Sequence, residues 1–484
     1  MNRSIVLHSL RKMAEARSCK LHALMFPLPY QGHINPFVDL AIKLASKGFT
    51  ITFVHTQYIY HTLTNDKQTD LFSQARKSGL DITCCTIYDG FPVDFDRRLQ
   101  FVEYFISLLN DFPGRVDEFM GNMIGSGSSS PPVSVLIADS FFAWSPWIAN
   151  KYGLVNVSFF TQPALAFAIG CHWELLTQNG HFPVKGDTEE EEITYVPGVD
   201  AISSKNLMSY FKEEEIGTPI HNFVFAAFHE MNRADFVLHH TVQELESKTL
   251  TTLSKNQPTY AIGPVYSFTN RPDISLRSES DCAKWLDSKP PGSVLYVSFG
   301  SVVQTTKQVI QEIAYGLLLS GVNFLWVARE DILDSGDSDI FPDGFQDETK
   351  DRGLIVPWCD QIMVLSNAGV GGFVTHCGWN STLESMWFGV PMICNPVAYD
   401  QPTNRKLVVE DLKIGINLSD GESIHRQQVA EKIRGFMNAS ASQGLRDRSE
   451  KVKKILHNAL DIGGSSQRNL DKFIEDLTAK IVDV

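Results

Sequence analysis

Residues 21–54 read LHALMFPLPYQGHINPFVDLAIKLASKGFTITFV, and this stretch sets the fold class. The apolar run 21–28 has the length and composition of a buried strand, and Tyr30 to Ile34 of a turn. Asn35-Pro36 then supplies a helix cap followed by proline at the first helical position. Phe37, Val38, Ala41, Leu44 and Ala45 share one helix face, and Gly48 is the stop. Thr50 to Val54 is the next strand. The unit is β-α-β, which calls for a parallel sheet covered on its faces. It places His33 at the carboxyl end of a strand, where open α/β sheets hold ligands.

The pattern continues outward. Further strands are expected at 133–138, 155–160 and 235–239, and 268–281 is poor in apolar residues, as linkers are. Beyond it the alternation resumes. A strand over 293–299 leads into Gly300-Ser301, a helix spans 306–320 and Gly321 ends it. Strands follow at 323–328, 353–356, 371–375 and 391–395. The expected architecture is α/β, with two tandem doubly wound Rossmann-like domains facing a cleft. Its divisions are a flexible extension over 1–19, a first domain over 20–255, a linker over 256–283 and a second domain over 284–462. A terminal helix over 463–484 is expected to pack back on the first domain.

Composition narrows the partners. A formal charge of -14 and a pI near 5.5 disfavour nucleic acid and anionic membranes. Eight scattered cysteines without paired metal spacing fit reduced thiols in a cytoplasmic protein. No apolar run reaches membrane-spanning length. A monomer acting on small molecules is expected.

The second half holds the most telling turn. After a strand ending at Thr375 come His376-Cys377-Gly378 and then a helix beginning near Asn380. Free N–H groups at a helix start, with a histidine beside them, suit a diphosphate. Spacing alone equally allows Ser381-Thr382-Leu383-Glu384 to be a capping box. A dinucleotide fingerprint is excluded, because Gly369-Val370-Gly371-Gly372 leads into a strand.

The longer stretch from Trp358 to Gln401 separates these readings. Its opening Trp358-Cys359 and Gln361, its core from His376 to Ser381, and Glu384, Gly389-Val390-Pro391 and Asp400-Gln401 strongly resemble the signature box of plant family 1 UDP-glycosyltransferases. The likeness extends over roughly residues 20–475. It implies the two-domain GT-B fold, with the donor held mainly by the second domain. By position it implies that Trp358 stacks on uracil, with Cys359 and Gln361 nearby, and that Glu384 accepts both ribose hydroxyls. His376, Gly378, Trp379, Asn380 and Ser381 would form the diphosphate turn, aided by Ser301. Asp400 and Gln401 would bind the sugar, and a final glutamine favours glucose in relatives. Asp360, Asn367-Ala368 and Val397-Ala398-Tyr399 depart from the usual pattern, the last of these beside the sugar.

In the first domain, Gly32-His33-Ile34-Asn35-Pro36 also matches that family, and Asp139 ends another strand. A carboxylate that accepts from one imidazole nitrogen leaves the other as a proton acceptor. The resemblance makes His33 the catalytic base and Asp139 its partner. Gln31, Gly32, Phe91, Phe142, Thr161 and Tyr399 are candidates to line the sugar and acceptor space. Asp94-Phe95-Asp96 and Asp337-Ser338-Asp339 could be read as metal sites but lie in polar loops; no metal and no cofactor is expected beside the co-substrate UDP-glucose.

The expected reaction is inverting transfer of glucose to a nucleophilic group, a hydroxyl above all, of a lipophilic plant metabolite such as a flavonoid, other phenolic or terpenoid. A β-glucoside would result. C-glycosylation and a UDP-sugar-binding protein without transfer are the alternatives.

Overall fold

The computed structural model describes residues 20–483 except 68–69, 98, 126, 128–130, 184–189, 213–215, 267–279, 303, 330–339 and 422. The expected extension over 1–19, residues 267–279 of the expected linker, and Asp337 to Asp339 therefore lie outside the described residues.

The first unit is built on β1 (His22–Phe26), β2 (Thr50–Thr56), β3 (Ile82–Ile87), β4 (Val135–Asp139), β5 (Val155–Phe160), β8 (Phe236–His239) and β9 (Thr259–Ala261). The short strands β6 (Glu192–Ile193) and β7 (Ile202–Ser203) pair antiparallel apart from it. All seven main strands are parallel, in the order β3-β2-β1-β4-β5-β8-β9. Strands covered on both faces are predominantly apolar, and β1, β2, β4 and β5 are buried at every residue, their few polar side chains included. Helices α1 (Gln31–Ser46), α2 (Phe101–Asn110) and α3 (Pro219–Glu230) flank the cleft side.

The second sheet comprises β10 (Val294–Ser298), β11 (Asn323–Val327), β12 (Gly353–Val356), β13 (Val370–Thr375), β14 (Met392–Cys394) and β15 (Gly415–Asn417). It too is parallel, in the order β12-β11-β10-β13-β14-β15. Its helices include α4 (Lys307–Ser320), α5 (Trp379–Phe388) and α6 (Gln401–Lys406). Thr306 caps α4 by accepting from the Val309 N–H, and Gly321 ends it in the left-handed conformation. The terminal helix α7 (Ser465–Asp483) packs on the first sheet, not the second. Its Leu470, Phe473 and Leu477 are fully buried in the cluster that contains Phe236, Leu238 and Ile262.

Both sheets reverse their strand order once. The first does so between β1 and β4, the second between β10 and β13. At such a switch point the loops leaving adjacent strands diverge and open a crevice at the carboxyl ends. One crevice is bordered by His33 and Asp139, the other by Ser301 and His376. They face each other across a single cavity of about 830 Å³.

Three expectations need correction. Helix α1 begins at Gln31, not after Asn35, so Pro36 sits inside it and His33 in its first turn. Strand β9 falls inside the segment expected as linker, which carries the first unit to at least Ala261. Strand β3 was missed because Ile82–Ile87 is an edge strand with four of its six residues partly or fully exposed, lacking a long apolar run.

Candidate active site

Asp139 closes β4 and turns its carboxylate back on its own loop, where Oδ1 accepts from the Phe141 N–H at 3.1 Å. Oδ2 accepts from His33 Nδ1 at 2.7 Å. The carboxylate has only lone pairs to offer, so the Nδ1 proton is fixed and Nε2 is left as the acceptor nitrogen. Asp139 is 1% exposed while His33 is 16% exposed, so the carboxylate is sealed and the imidazole opens to the cavity. Thr161 Oγ1 lies 3.1 Å from the same Nδ1, and Phe141 stands edge-on to the ring.

The opposite wall is the donor turn. Cys377 is held at φ +66 between β13 and α5, with Gly378 as the cap residue of α5. Non-glycine residues occupy this region at a cost and cluster at functional sites. The His376 ring lies between two glycines. A Cβ added at Gly300 would come within 2.5 Å of it, and one at Gly378 within 2.4 Å. Burial, reinforced by the Arg329 guanidinium, pushes His376 down to about 3, so the ring stays neutral. Arg329 is itself buried and donates from Nη1 to the Ser301 carbonyl at 2.8 Å.

Gln361 organises the nucleoside side. Its Nε2 donates to Ser381 Oγ at 2.9 Å and to Glu384 Oε2 at 2.7 Å, while its Oε1 accepts from Tyr296 at 3.2 Å. Helix α5 already begins at Trp379 with Gly378 as its cap residue and no side-chain cap bond, so Ser381 lies inside the helix and the capping-box reading fails. Trp358 is half-buried at the cavity wall. The Cys359 thiol turns into the core against Tyr296, leaving only its backbone for a ligand.

At the far end, Gln401 Oε1 accepts from the Val397 and Ala398 N–H groups at 2.9 and 3.0 Å. Only its amide NH2 can then face a ligand. Asp400 is buried, and burial raises its carboxyl to about 6. Asn404, 0% exposed, donates to Asp400 Oδ2 at 2.7 Å and to the Cys377 carbonyl at 2.8 Å. One amide thus ties the two turns together.

Two donor-turn side chains are engaged across the cleft. Trp379 Nε1 donates to the His240 carbonyl at 2.7 Å and Asn380 Nδ2 to the Gly32 carbonyl at 2.6 Å. Gly32 is free to accept because Pro36, four residues on in α1, has no N–H to give it.

Every expected donor residue borders the cavity, as do Gln31, Gly32, His33, Thr161 and Tyr399. Asp139 sits behind His33. Phe91 and Phe142 do not border it. Phe91 stacks on Phe95 at 4.1 Å, and Phe142 is buried between Phe112 and Trp144. The aromatic lining comes instead from Tyr30, Phe101, Phe105, Phe141, Tyr210 and Phe223. Sequence reasoning missed the α2 and α3 members of this set; the amphipathic run 101–110 could have signalled those of α2. It also missed Arg97, whose guanidinium meets Asp89 with Nε at 2.8 Å and Nη2 at 2.9 Å.

Among the described residues no group of three or more His, Cys, Asp or Glu is placed to hold a metal. Nor is any described helix long and apolar enough to cross a membrane.

Comparison with known proteins agrees with this geometry. The family model described as UDP-glucoronosyl and UDP-glucosyl transferase matches residues 206–423. The chain is 50% identical over 477 residues to UDP-glycosyltransferase 86A1 of Arabidopsis thaliana, covering 97% of each. It is 47% identical to UDP-glycosyltransferase 86A2 of the same plant, covering 95% of each. A solved UDP-glucosyltransferase from Polygonum tinctorium capable of glucosylating indoxyl superposes with a TM-score of 0.77 at 26% identity, over 96% of this chain and 99% of that one. With two curated relatives at 50% and 47% identity over nearly the whole chain, the protein belongs to the plant family 1 UDP-glycosyltransferases, glycosyl-transferring enzymes of GT-B fold.

Proposed function

We propose that the enzyme transfers glucose from UDP-glucose, with inversion, to a hydroxyl of a lipophilic plant metabolite of the flavonoid, other phenolic or terpenoid kind. The observation that carries this reading is the His33–Asp139 pair at 2.7 Å, opening onto the same cavity as the donor turn. His33 Nε2 takes the proton of the acceptor hydroxyl as its oxygen attacks the anomeric carbon. The bond from that carbon to the diphosphate oxygen breaks, and UDP leaves from the opposite face. The Asp139 carboxylate, bonded to Nδ1, stabilises the imidazolium that forms. An α-linked donor therefore gives a β-glucoside.

The diphosphate gains charge as it leaves. The reading assigns that charge to the N–H groups at the start of α5, to neutral His376 as a hydrogen-bond donor, and to Ser301, with no metal involved. Ser381 Oγ accepts from Gln361, which directs its own proton outward to the same anion. Trp358 would stack on uracil, with the Cys359 backbone and Gln361 beside it. Glu384 would take the ribose hydroxyls, and Asp400 and the Gln401 amide the sugar. Support for a lipophilic acceptor is the aromatic lining at the His33 end of the cavity.

General base help is worth about 10²–10⁴ in rate. In EDTA, the wild type should release UDP from UDP-glucose when given a panel of phenolic and terpenoid alcohols. His33→Ala should lose about that factor or more while keeping UDP affinity. Undiminished turnover by His33→Ala, or dependence on a divalent ion, would refute the mechanism.

A further inference from the structure

Tyr399 occupies the left-handed region at φ +60, one of three non-glycine residues to do so among the described residues. It precedes Asp400 and Gln401, so its backbone sets the direction of both. A side-chain-bearing residue holds that conformation only when its surroundings fix it.

What fixes it comes from the other domain. The Tyr399 N–H donates to Ser209 Oγ at 2.7 Å, and the Ser209 N–H donates to the Tyr399 carbonyl at 2.8 Å. The ring of Tyr399 packs into the first-domain cluster, with its centroid 6.0 Å from that of Tyr210. Ser209 is carried on a short segment that is itself anchored to the donor domain. The Asn206 carbonyl accepts from Thr403 Oγ1 at 2.7 Å. The Asn206 side chain reaches Glu410 at 3.1 Å and receives the Arg405 guanidinium. The same segment continues into Tyr210, which borders the cavity.

The other bonds of the turn lie within its own domain. Gln401 Oε1 is already engaged by the Val397 and Ala398 N–H groups, and Asp400 Oδ2 by Asn404. These bonds shape the turn from within the donor domain. The two Ser209 bonds alone hold Tyr399 itself against the acceptor domain among the hydrogen bonds described for it.

We propose that Ser209 is a positioning residue for the transferred sugar. By clasping the Tyr399 backbone it fixes how Asp400 and the Gln401 amide meet the hexose hydroxyls, and it links that geometry to Tyr210 in the acceptor wall. Ser209 does not border the cavity and acts through Tyr399. The inference rests on the reading above that Asp400 and Gln401 hold the sugar.

The test is a Ser209→Thr, Ser209→Cys and Ser209→Ala series in the full-length enzyme, with UDP-glucose KM and the competitive inhibition constant of UDP measured side by side. UDP lacks the hexose and so reports the nucleotide site alone. Ser209→Ala should raise the KM by about three- to tenfold, the range of one neutral hydrogen bond, while the UDP constant stays within about twofold. Ser209→Thr, which keeps the hydroxyl, should restore the KM, and Ser209→Cys, a weaker acceptor, should fall between. Equal changes in KM and UDP constant mean domain glue only and overturn the proposal. So does an unchanged KM in a folded Ser209→Ala enzyme. A wild type that transfers no glucose from UDP-glucose at all would instead fail the parent reading, and would do so before any variant is compared.

Discussion

Asp400 carries the clearest pH signature at the level of single residues. Its carboxyl is raised by burial from 3.8 to about 6, so the folded chain binds a proton there that the unfolded chain releases. A raised carboxyl penalises the folded state above its folded value, and the penalty disappears as pH falls from about 6 towards 3.8. The gap corresponds to about 3 kcal/mol at most. Asp400→Asn should therefore raise the melting midpoint at pH 7.5 but leave it nearly unchanged near pH 4. Function runs the other way. UDP-glucose affinity should weaken below about pH 6, where the neutral acid replaces the carboxylate, and UDP affinity should not; equal pH profiles for the two ligands would contradict the assignment. Legibility at this scale came from resemblance, since spacing alone left the turn after Thr375 open between an anion site and a capping box. Trp358, Gln361, His376, Glu384, Asp400 and Gln401 were singled out by the likeness of their stretch to a family signature, and each borders the cavity. Asn404 and Arg329 were not, since their roles arise from burial against distant backbone. Phe91 and Phe142 were misread because an aromatic near a strand end looks the same whether it faces the core or the cleft.

Helix α1 shows how an element's irregularity becomes an interdomain contact. A proline in a helix interior normally removes one hydrogen bond and strands a carbonyl. Here the stranded carbonyl is that of Gly32, and Asn380 supplies the missing donor at 2.6 Å. Replacing Pro36 with alanine restores a competing N–H within the helix. The two changes should therefore be coupled. Asn380→Ala should reduce kcat/KM for UDP-glucose by less in a Pro36→Ala background than in the wild type, with an interaction energy of about 0.5–1.5 kcal/mol. Strict additivity in a double-mutant cycle would show that the two groups are independent. The sequence signal reads as a helix start, since Asn-Pro is a cap followed by a first-turn proline far more readily than a mid-helix pair. The true start at Gln31 has no side-chain cap to announce it. Strands on the sheet interiors were legible from their apolar runs. Edge strand β3 and the three-residue strands β9 and β15 were too short or too polar to stand out.

At the scale of the molecule, two parallel sheets each bring their single reversal point to the same cavity, one with His33 and one with the turn from His376 to Gly378. The doubly wound pattern made this arrangement legible, because alternating strand and helix signals recur in both halves. Which unit the last helix joins is settled by packing. Phe473 is fully buried against Phe236 and Tyr260 of the first sheet. Phe473→Ala should cost about 3–5 kcal/mol and lower the melting midpoint, although the residue lies far from the cavity and follows the whole donor domain in sequence. An unchanged midpoint would mean that α7 is a passenger on the first unit.

The placement of α7 has a mechanical consequence. Ser466 Oγ donates to the Gly263 carbonyl at 2.5 Å, and Asn469 Nδ2 to the Ala261 carbonyl at 2.8 Å. The chain thus leaves the first unit and re-enters it at neighbouring points. The two crossings sit against β9, the last strand of the first sheet, so the closing stretch of the chain acts as a clasp on that sheet: cutting α7 away would lay bare the apolar face that Phe473 covers on Phe236 and Tyr260.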